Sequence, residues 1–358
     1  MNDLPMPSDV KKAAAAAAAE PIEPPSVKLI VRLFVIPLVI VAIAVGVMFL
    51  IGLLAGGEPS MQDALARLRS PGGERTADYL VGPASKQRYL DAKTLVDQMK
   101  TPQGMSEADR ITLTNQLIDI VDNHTHPEEG EVQHFVLLAL GRTWQKNPSQ
   151  PPLNSPLAID SRQKVVATLL KYADAPQLAT RKAAVLATVY LAGYDEANLA
   201  LPKLIEKLSD EKEDVDVRIA AATVLGPLAD SSNHAVIDAL HSAMRDTDAR
   251  DVELVWSAAL SLAQLNQSDV AETILKLLDR EELSKFQYYD RESDPRNPSF
   301  RSLSDQEQQR ILINTMIGAK KLDVPAVQEK LKQLTQSDPS PRVRAAGMEI
   351  LQGSQVNQ

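Results

Sequence analysis

The sequence predicts an all-α protein, an α-solenoid of about six helix pairs preceded by a single transmembrane helix. Of 358 residues, 44% are apolar but only 4% are aromatic. The core must therefore be built mainly from small and aliphatic side chains, which favours closely packed helices over β-sandwiches. A long uncharged stretch near the N terminus is the second observation. The third is a two-helix pattern that recurs every 34 to 37 residues, as in stacked helical hairpins.

The uncharged stretch covers residues 33–57 and is 25 residues long. At 1.5 Å per residue it exceeds the ~30 Å hydrocarbon core, and it is too long for the apolar region of a cleaved signal peptide. We therefore expect a single-pass anchor, with a low-complexity, disordered tail at residues 1–32. Gly52 and Gly56 form a G-x-x-x-G pair that offers one route to a homo-oligomer.

The charges around this stretch predict its orientation. Lys28 and Arg32 precede it, whereas Glu58 and Asp63 follow it, which favours a cytoplasmic N terminus. We expect a protein of the bacterial inner membrane with an extracytoplasmic solenoid. Basic residues that oppose this bias come soon afterwards, at Arg67, Arg69 and Arg75. Cysteine is absent, so the composition is compatible with either side of a membrane.

The rest of the chain divides into a helical juxtamembrane connector at residues 58–105 and the solenoid at residues 106–358. Insertions interrupt the solenoid near residues 145–156 and 284–302. The spacing from Val255 to its equivalent Arg310 is 55 residues, 18 more than the 37-residue repeat.

The repeat is clearest in the stretch "DVDVRIAAATVLGPLAD", residues 214–230. Moving 37 residues back from Arg218 reaches Arg181, and 37 forward reaches Val255. Arg310 and Gly318 repeat the spacing of Arg218 and Gly226. Apolar residues at i, i+3 and i+4 give each copy one buried face, and a second amphipathic helix lies between copies. Each unit is therefore predicted to pair a helix A with a helix B.

Start signals support these helices. Ser106 with Asp109 and Ser304 with Glu307 have capping-box spacing. Asp338 followed by Pro339 suits an N-cap with proline at the first helical position.

The 214–230 stretch resembles the second helix of HEAT repeats, particularly the short bacterial HEAT-like type, and the resemblance extends over about residues 106–351. In that family an Asp before the helix and an Arg or Lys inside it form a ladder between successive repeats. Asp251 departs from the pattern because Val255 replaces the arginine. The resemblance implies a solenoid with a binding role and a structural ladder at Asp174, Arg181, Asp214, Arg218, Arg310, Asp338, Arg342 and Arg344.

The second insertion is the candidate partner-binding segment. It concentrates aromatic residues and arginine, which are common at binding hot spots. The alternative is a loop that its own rings fix onto the helices. The candidate residues are Phe286, Tyr288, Tyr289, Arg291 and Phe300.

Motifs for catalysis are missing: the sequence has no G-x-S-x-G, P-loop, G-x-G-x-x-G or H-E-x-x-H. His124, His126 and His134 lie close together, but their spacing matches no common zinc site, and we expect no metal and no cofactor. The net charge of −9 disfavours nucleic-acid binding and favours a protein partner with basic patches.

These observations predict a membrane-anchored, non-catalytic protein-binding scaffold. Two alternatives remain. Some HEAT-like proteins are lyases that act on bilin chromophores or glycosylases that repair DNA, so the resemblance also allows an enzyme. The other alternative is a self-associating protein that shapes or spaces membranes.

Overall fold

The computed structural model describes residues 60–69, 83–99, 105–126, 129–147, 153–245, 252–289 and 299–355. They belong to one compact unit, Ser60–Gln358. The tail predicted at residues 1–32, and the Gly52 and Gly56 pair, lie outside the described residues.

Two helices precede the predicted solenoid and pack against it. Helix α1 covers Met61–Arg69 and α2 covers Pro83–Gln98. Arg88 of α2 donates to the carbonyl of Leu68 and, at 2.8 Å, to Glu129 Oε1. Arg142 donates to the α2 carbonyl of Val96. These two helices therefore pack as one more helix pair at the start of the array.

Six further pairs follow, each with a helix A and a helix B. In the fifth pair, helix A is α11 and helix B is α13, and the short helix α12 and a hairpin of β1 and β2 lie between them. The pairs are α3 (Glu107–Asn123) with α4 (Gly130–Arg142), α5 (Pro156–Tyr172) with α6 (Leu178–Ala187), α7 (Leu201–Ser209) with α8 (Val215–Leu228), α9 (His234–Met244) with α10 (Val252–Gln264), α11 (Ala271–Leu277) with α13 (Asp305–Ala319), and α14 (Pro325–Ser337) with α15 (Pro341–Gln355). The elements in between are α12 (Arg280–Lys285), β1 (Gln287–Tyr289) and β2 (Phe300–Ser302), and short 3-10 helices cover Thr188–Leu191, Asp195–Ala200 and Ser268–Val270.

Local sequence signals explain where several helices begin. The predicted capping boxes of Ser106 and Ser304 are confirmed, since each serine hydroxyl accepts from the amide three residues on and the third residue's carboxylate accepts in return. The start of α15 differs from the prediction. The helix begins at Pro341, and Ser340 Oγ accepts from the Val343 amide. Asp338 instead accepts from the Ser340 amide at 2.8 Å, so it orders the turn before the cap.

Consecutive helices B pack side by side, with one continuous apolar core beneath them. Glycine allows the closest approaches. A Cβ added at Gly226 of α8 would lie 2.7 Å from the Cα of Ser261 in α10, and one at Gly141 of α4 would collide with the backbone of Ala187 in α6. Ser261 Oγ donates to the Ala222 carbonyl. The buried leucines, such as Leu225, then fill the space between units.

The predicted fold class is wrong in its membrane part. Residues 33–57, where we expected a transmembrane helix, lie outside the described residues. Among the residues that are described, no helix is both long and apolar enough to cross a membrane. The longest, α3 and α5, have 17 residues each, about 26 Å at 1.5 Å per residue against the ~30 Å hydrocarbon core. The predicted single-pass location in the bacterial inner membrane is corrected with it.

Candidate functional site

A groove opens on the row of helices B, between α10 and α13 and next to α8. Its volume is about 250 Å³. Trp256 and Leu260 of α10 and Ile311 of α13 line it, together with Leu303, which follows β2. Leu303 is buried, while the other three side chains are half-buried. Polar side chains, among them Glu253, Glu307 and Arg310, line the rest of it, so the groove is apolar in part and only partly covered by the chain itself.

The repeat explains why these side chains face outward. Ile219, Trp256 and Ile311 each follow one of the equivalent positions 218, 255 and 310, and each is half-buried. Ala220, one residue after Ile219, and Ala258, two residues after Trp256, point toward the core and are buried. Thr223, one turn after Ile219, is exposed. We call the outward row Ile219, Thr223, Trp256, Leu260 and Ile311 the helix-B face.

The helices B are spaced differently on the two sides of α10. Toward α8, Gly226 meets the backbone of Ser261. Toward α13, an added Cβ at Gly318 would first meet the side chain of Leu260, 3.1 Å from its Cδ2. The nearest backbone atom of α10 on this side, the Leu260 carbonyl oxygen, lies 3.5 Å from that Cβ, against 2.7 Å for Ser261 Cα on the other side. The groove lies at this wider junction.

The second insertion borders the groove, and the structure divides its predicted binding residues. The ring of Phe286 lies 4.8 Å from that of Trp256, centroid to centroid. Tyr288 and Tyr289 pair through their backbones with Arg301 and Phe300, and their side chains lie outside the described residues, as does all of Arg291. Phe300 is 50% exposed. Phe286 thus contacts the protein's own helix, whereas Phe300 is half-exposed.

The carboxylate of Glu307, in the groove wall, is already engaged in an ion pair and in the cap of its own helix. It accepts from Arg301 Nη2 at 2.7 Å and from the Ser304 hydroxyl at 2.7 Å. The bonds from Arg301 and then Ser304 outweigh desolvation and lower the pKa of Glu307 to about 2, because both favour the ionised form. This glutamate remains charged at neutral pH.

Three of the predicted ladder arginines contact carbonyls in the turn before their own helix or in the last turn of the preceding helix. Arg181 donates to the carbonyls of Ala175 and Pro176, Arg218 to that of Leu208, and Arg344 to those of Asp338 and Pro339. Each is the fourth residue of its helix. Their charge-assisted bonds satisfy carbonyls at the turns between paired helices.

Arg310 and Arg342 differ from those three. Arg310 is exposed and lines the groove. Within the part of the chain that the structure describes, its guanidinium has no hydrogen-bond or ion-pair partner. Arg342, on α15, is exposed as well. Neither contacts a ladder carboxylate.

The predicted ladder carboxylates bind partners that sequence reasoning missed. Asp174 pairs with Lys203 and Lys207 of helix α7 at 2.9 and 2.8 Å. Asp214 caps α8 by accepting from the Asp216 amide. Asp338 pairs with Arg280 of α12 at 2.8 Å. The contacts of Asp174 and Asp338 join neighbouring units through lysines and an arginine outside the resemblance pattern, whereas Asp214 acts within its own helix.

A buried ion pair joins units two and three. Arg162 of α5 donates to Glu196 through Nε and Nη2, each at 3.0 Å, and its guanidinium lies 4.2 Å from the ring centroid of Tyr194. Burial alone would raise the pKa of Glu196, but the bonds from Arg162 outweigh it and the pKa is lowered. No sequence pattern pointed to this pair, because its members are 34 residues apart in different helices.

The three histidines that cluster in the sequence make different contacts in the structure. His124 Nε2 lies 3.4 Å from Asp119 Oδ2, and the ring of His134 packs against Phe135. The backbone amide of His126, not its ring, donates to Glu129. In the described ranges, no group of three or more His, Asp or Glu side chains could hold a metal ion.

Comparison with known proteins identifies the repeat. A family model for HEAT repeats matches residues 201–287, which span helices α7 to α12 and the start of β1. No curated protein matches the chain. The matched segment contains the two close-packed helices B, α8 and α10, and one wall of the groove. Residues 201–287 are therefore similar to HEAT repeats, and paired helices are the arrangement expected of such repeats.

Proposed function

We propose that this helical repeat array is a non-catalytic scaffold that binds another protein through its helix-B face. The observation that carries the proposal is the groove at the widened junction of α10 and α13, where Trp256, Leu260 and Ile311 are apolar and half-covered. HEAT repeats are commonly protein-binding scaffolds, which supports the same conclusion. A solenoid offers an extended surface of this kind.

Apolar burial supplies the driving force for such binding. Removing apolar surface from water contributes about 25 cal/mol per Å². The groove is smaller than the ~300–1,000 Å³ typical of small-molecule sites, since its volume is about 250 Å³. It therefore suits one or two side chains of a protein partner better than a cofactor-sized ligand. Tryptophan and arginine, both present here, are frequent hot-spot residues.

The committed state of Glu307 supports the non-catalytic part of the proposal. A general acid or base works best with a pKa near the operating pH. The pKa of Glu307 is about 2, and its oxygens already accept from Arg301 and Ser304. The carboxylate thus serves as a helix cap and an ion-pair partner.

The overall charge sets which partners approach. The chain carries a net charge of −9, so a partner that is basic overall is attracted at long range. This attraction is screened within about 10 Å at 0.1 M salt. We expect the association rate to fall as the salt concentration rises.

Site-specific photo-crosslinking tests the proposal. A photo-reactive amino acid replaces Thr223 on the helix-B face, and in a matched variant it replaces Lys332 of α14; both positions are exposed. In the native host, we expect discrete adducts with another protein from position 223 and none from position 332. Equal adducts from both positions, or adducts from 332 alone, would contradict the proposal.

A further inference from the structure

Arg310 is the exception among the repeat arginines, and the cause lies in where its helix begins. Arg181, Arg218 and Arg344 are the fourth residues of α6, α8 and α15, whereas Arg310 is the sixth residue of α13. The cap formed by Ser304 and Glu307 starts α13 two residues earlier in the repeat. The other three arginines donate to carbonyls that lie outside their own helix. Before Arg310, two more residues belong to its own helix, and the carbonyls there bond within that helix.

This difference leaves Arg310 with no internal role among the described residues. Its side chain is exposed, lines the groove and has no hydrogen-bond or ion-pair partner there. Of the two carboxylates in the groove lining, Glu307 already accepts from Arg301 and Ser304, and Glu253 of α10 has an interaction of its own. The cation is thus available to a group that enters the groove.

The apolar walls make a charge contact here stronger than on an open surface. Trp256, Leu260 and Ile311 lie beside Arg310 in the groove, and an apolar side chain that fills it displaces water. Arginine pairs with a carboxylate through two parallel N–H···O bonds, and such charge-assisted bonds strengthen as water is excluded.

From these observations we propose that the groove binds a segment of a partner protein in which a bulky apolar residue is flanked by a carboxylate, with the carboxylate paired to Arg310. The proposal rests on the proposed function and specifies the partner's anchor. It does not conflict with a partner that is basic overall. Net charge steers the encounter, whereas the contact charge fixes which segment enters the groove.

Defined peptides test the proposal on the full chain. Three fluorescein-labelled peptides share one Gly/Ser background and a central Leu-Phe, and differ only in flanking residues: Asp, Lys or Ser. Fluorescence anisotropy measures the binding of each. We expect the Asp peptide to bind about tenfold more tightly than the Lys peptide, consistent with about 1.4 kcal/mol per tenfold change. In Arg310→Ala this preference should fall below about twofold, with binding of the Ser peptide unchanged.

Two further variants serve as controls. Arg342→Ala removes an equally exposed arginine outside the groove and should keep the tenfold preference. Leu260→Lys, checked for folding by circular dichroism, places a charge on the apolar wall of the groove and should weaken binding of the uncharged Ser peptide. A preference that survives Arg310→Ala, or that disappears in Arg342→Ala, would overturn the proposal.

Other outcomes separate this inference from the proposed function. If the three peptides bind equally and Leu260→Lys abolishes binding, the groove binds apolar segments, but the proposed pairing of a flanking carboxylate with Arg310 is wrong. If no peptide binds while position 223 still crosslinks to a protein, the groove anchor fails and the scaffold function stands. Self-association of the wild-type chain that Leu260→Lys abolishes, measured by analytical ultracentrifugation, would assign the groove to a second copy and also overturn the proposal.

Discussion

The glycines between helices B allow a sharp test of the packing, because the same substitution should have opposite effects at two of them. At Gly226, an alanine Cβ would lie 2.7 Å from Ser261 Cα and 2.8 Å from its Oγ. Relaxed carbon contacts are about 3.5–4.0 Å, so α8 and α10 must separate by roughly 1 Å. At Gly318 the first obstacle is Leu260 Cδ2 at 3.1 Å, the flexible end of a side chain.

The magnitudes follow from two opposing effects. Glycine to alanine inside a helix stabilises by about 0.5–1 kcal/mol. Overpacking against backbone costs about 1–3 kcal/mol. Their difference gives a cost of up to about 2.5 kcal/mol for Gly226→Ala, and the steric conflict between an alanine Cβ and the following Pro227 adds to it. Gly318→Ala should be neutral or stabilising by up to about 1 kcal/mol, because Leu260 can move aside.

Urea denaturation followed by circular dichroism measures the difference. Repeat arrays can unfold in more than one step, so the comparison uses the midpoint of the first transition in the wild type and both variants. We expect the midpoint of Gly226→Ala to fall and that of Gly318→Ala to remain or rise. A Gly226→Ala variant at least as stable as Gly318→Ala would refute the inferred backbone contact between α8 and α10.

Three more predictions concern two buried groups, Leu225 and Glu196, and the half-buried Glu307. Leu225→Ala should lower the unfolding free energy by about 2–5 kcal/mol, since Leu225 is fully buried between units; a loss below 1 kcal/mol in urea denaturation would contradict that placement. Glu196→Gln should cost about 3–5 kcal/mol by leaving the charge of Arg162 buried and unpaired, and a thermal melt unchanged from wild type would argue against the pair. The pKa of Glu307 is lowered from 4.5 to about 2, so its contribution is present above pH 4.5 and is lost as the pH falls toward 2. Urea midpoints at pH 6 and pH 3 should therefore differ less in Glu307→Gln than in the wild type, and an equal or larger difference would count against the ion pair with Arg301.

The helices could be predicted because their signals are local. Apolar spacing located α8 and its equivalents, and Ser106 and Ser304 marked true helix starts. The predicted cap at Asp338 was two residues early, because Ser340 competes for the same role and is followed by its own proline. A sequence shows that both residues can cap, but tertiary contacts decide between them.

The groove and the ion pairs could not be predicted, since they depend on distances between units. Asp338 and Arg280 are 58 residues apart, and many other basic residues were available to that carboxylate. The freedom of Arg310 depends on a two-residue change in where α13 begins, which a repeat alignment by arginine and glycine does not show. The insertion was recognised from its aromatic residues, but the separate environments of Phe286 and Phe300 required the structure.

The account depends on helices B of consecutive units lying side by side, since only then do their outward residues form one binding face. Lys182 of α6 and Asp216 of α8, whose side chains meet at 2.8 Å, provide the most direct measurement. The chain has no cysteine, so Lys182→Cys with Asp216→Cys introduces a single thiol pair. A short thiol crosslinker should join it rapidly within one molecule, as seen by mass spectrometry. The control pair Lys182→Cys with Asp238→Cys, whose second cysteine lies on helix A two units further along, should not be joined. Equal crosslinking of both pairs, or none of the first, would contradict the stacked array.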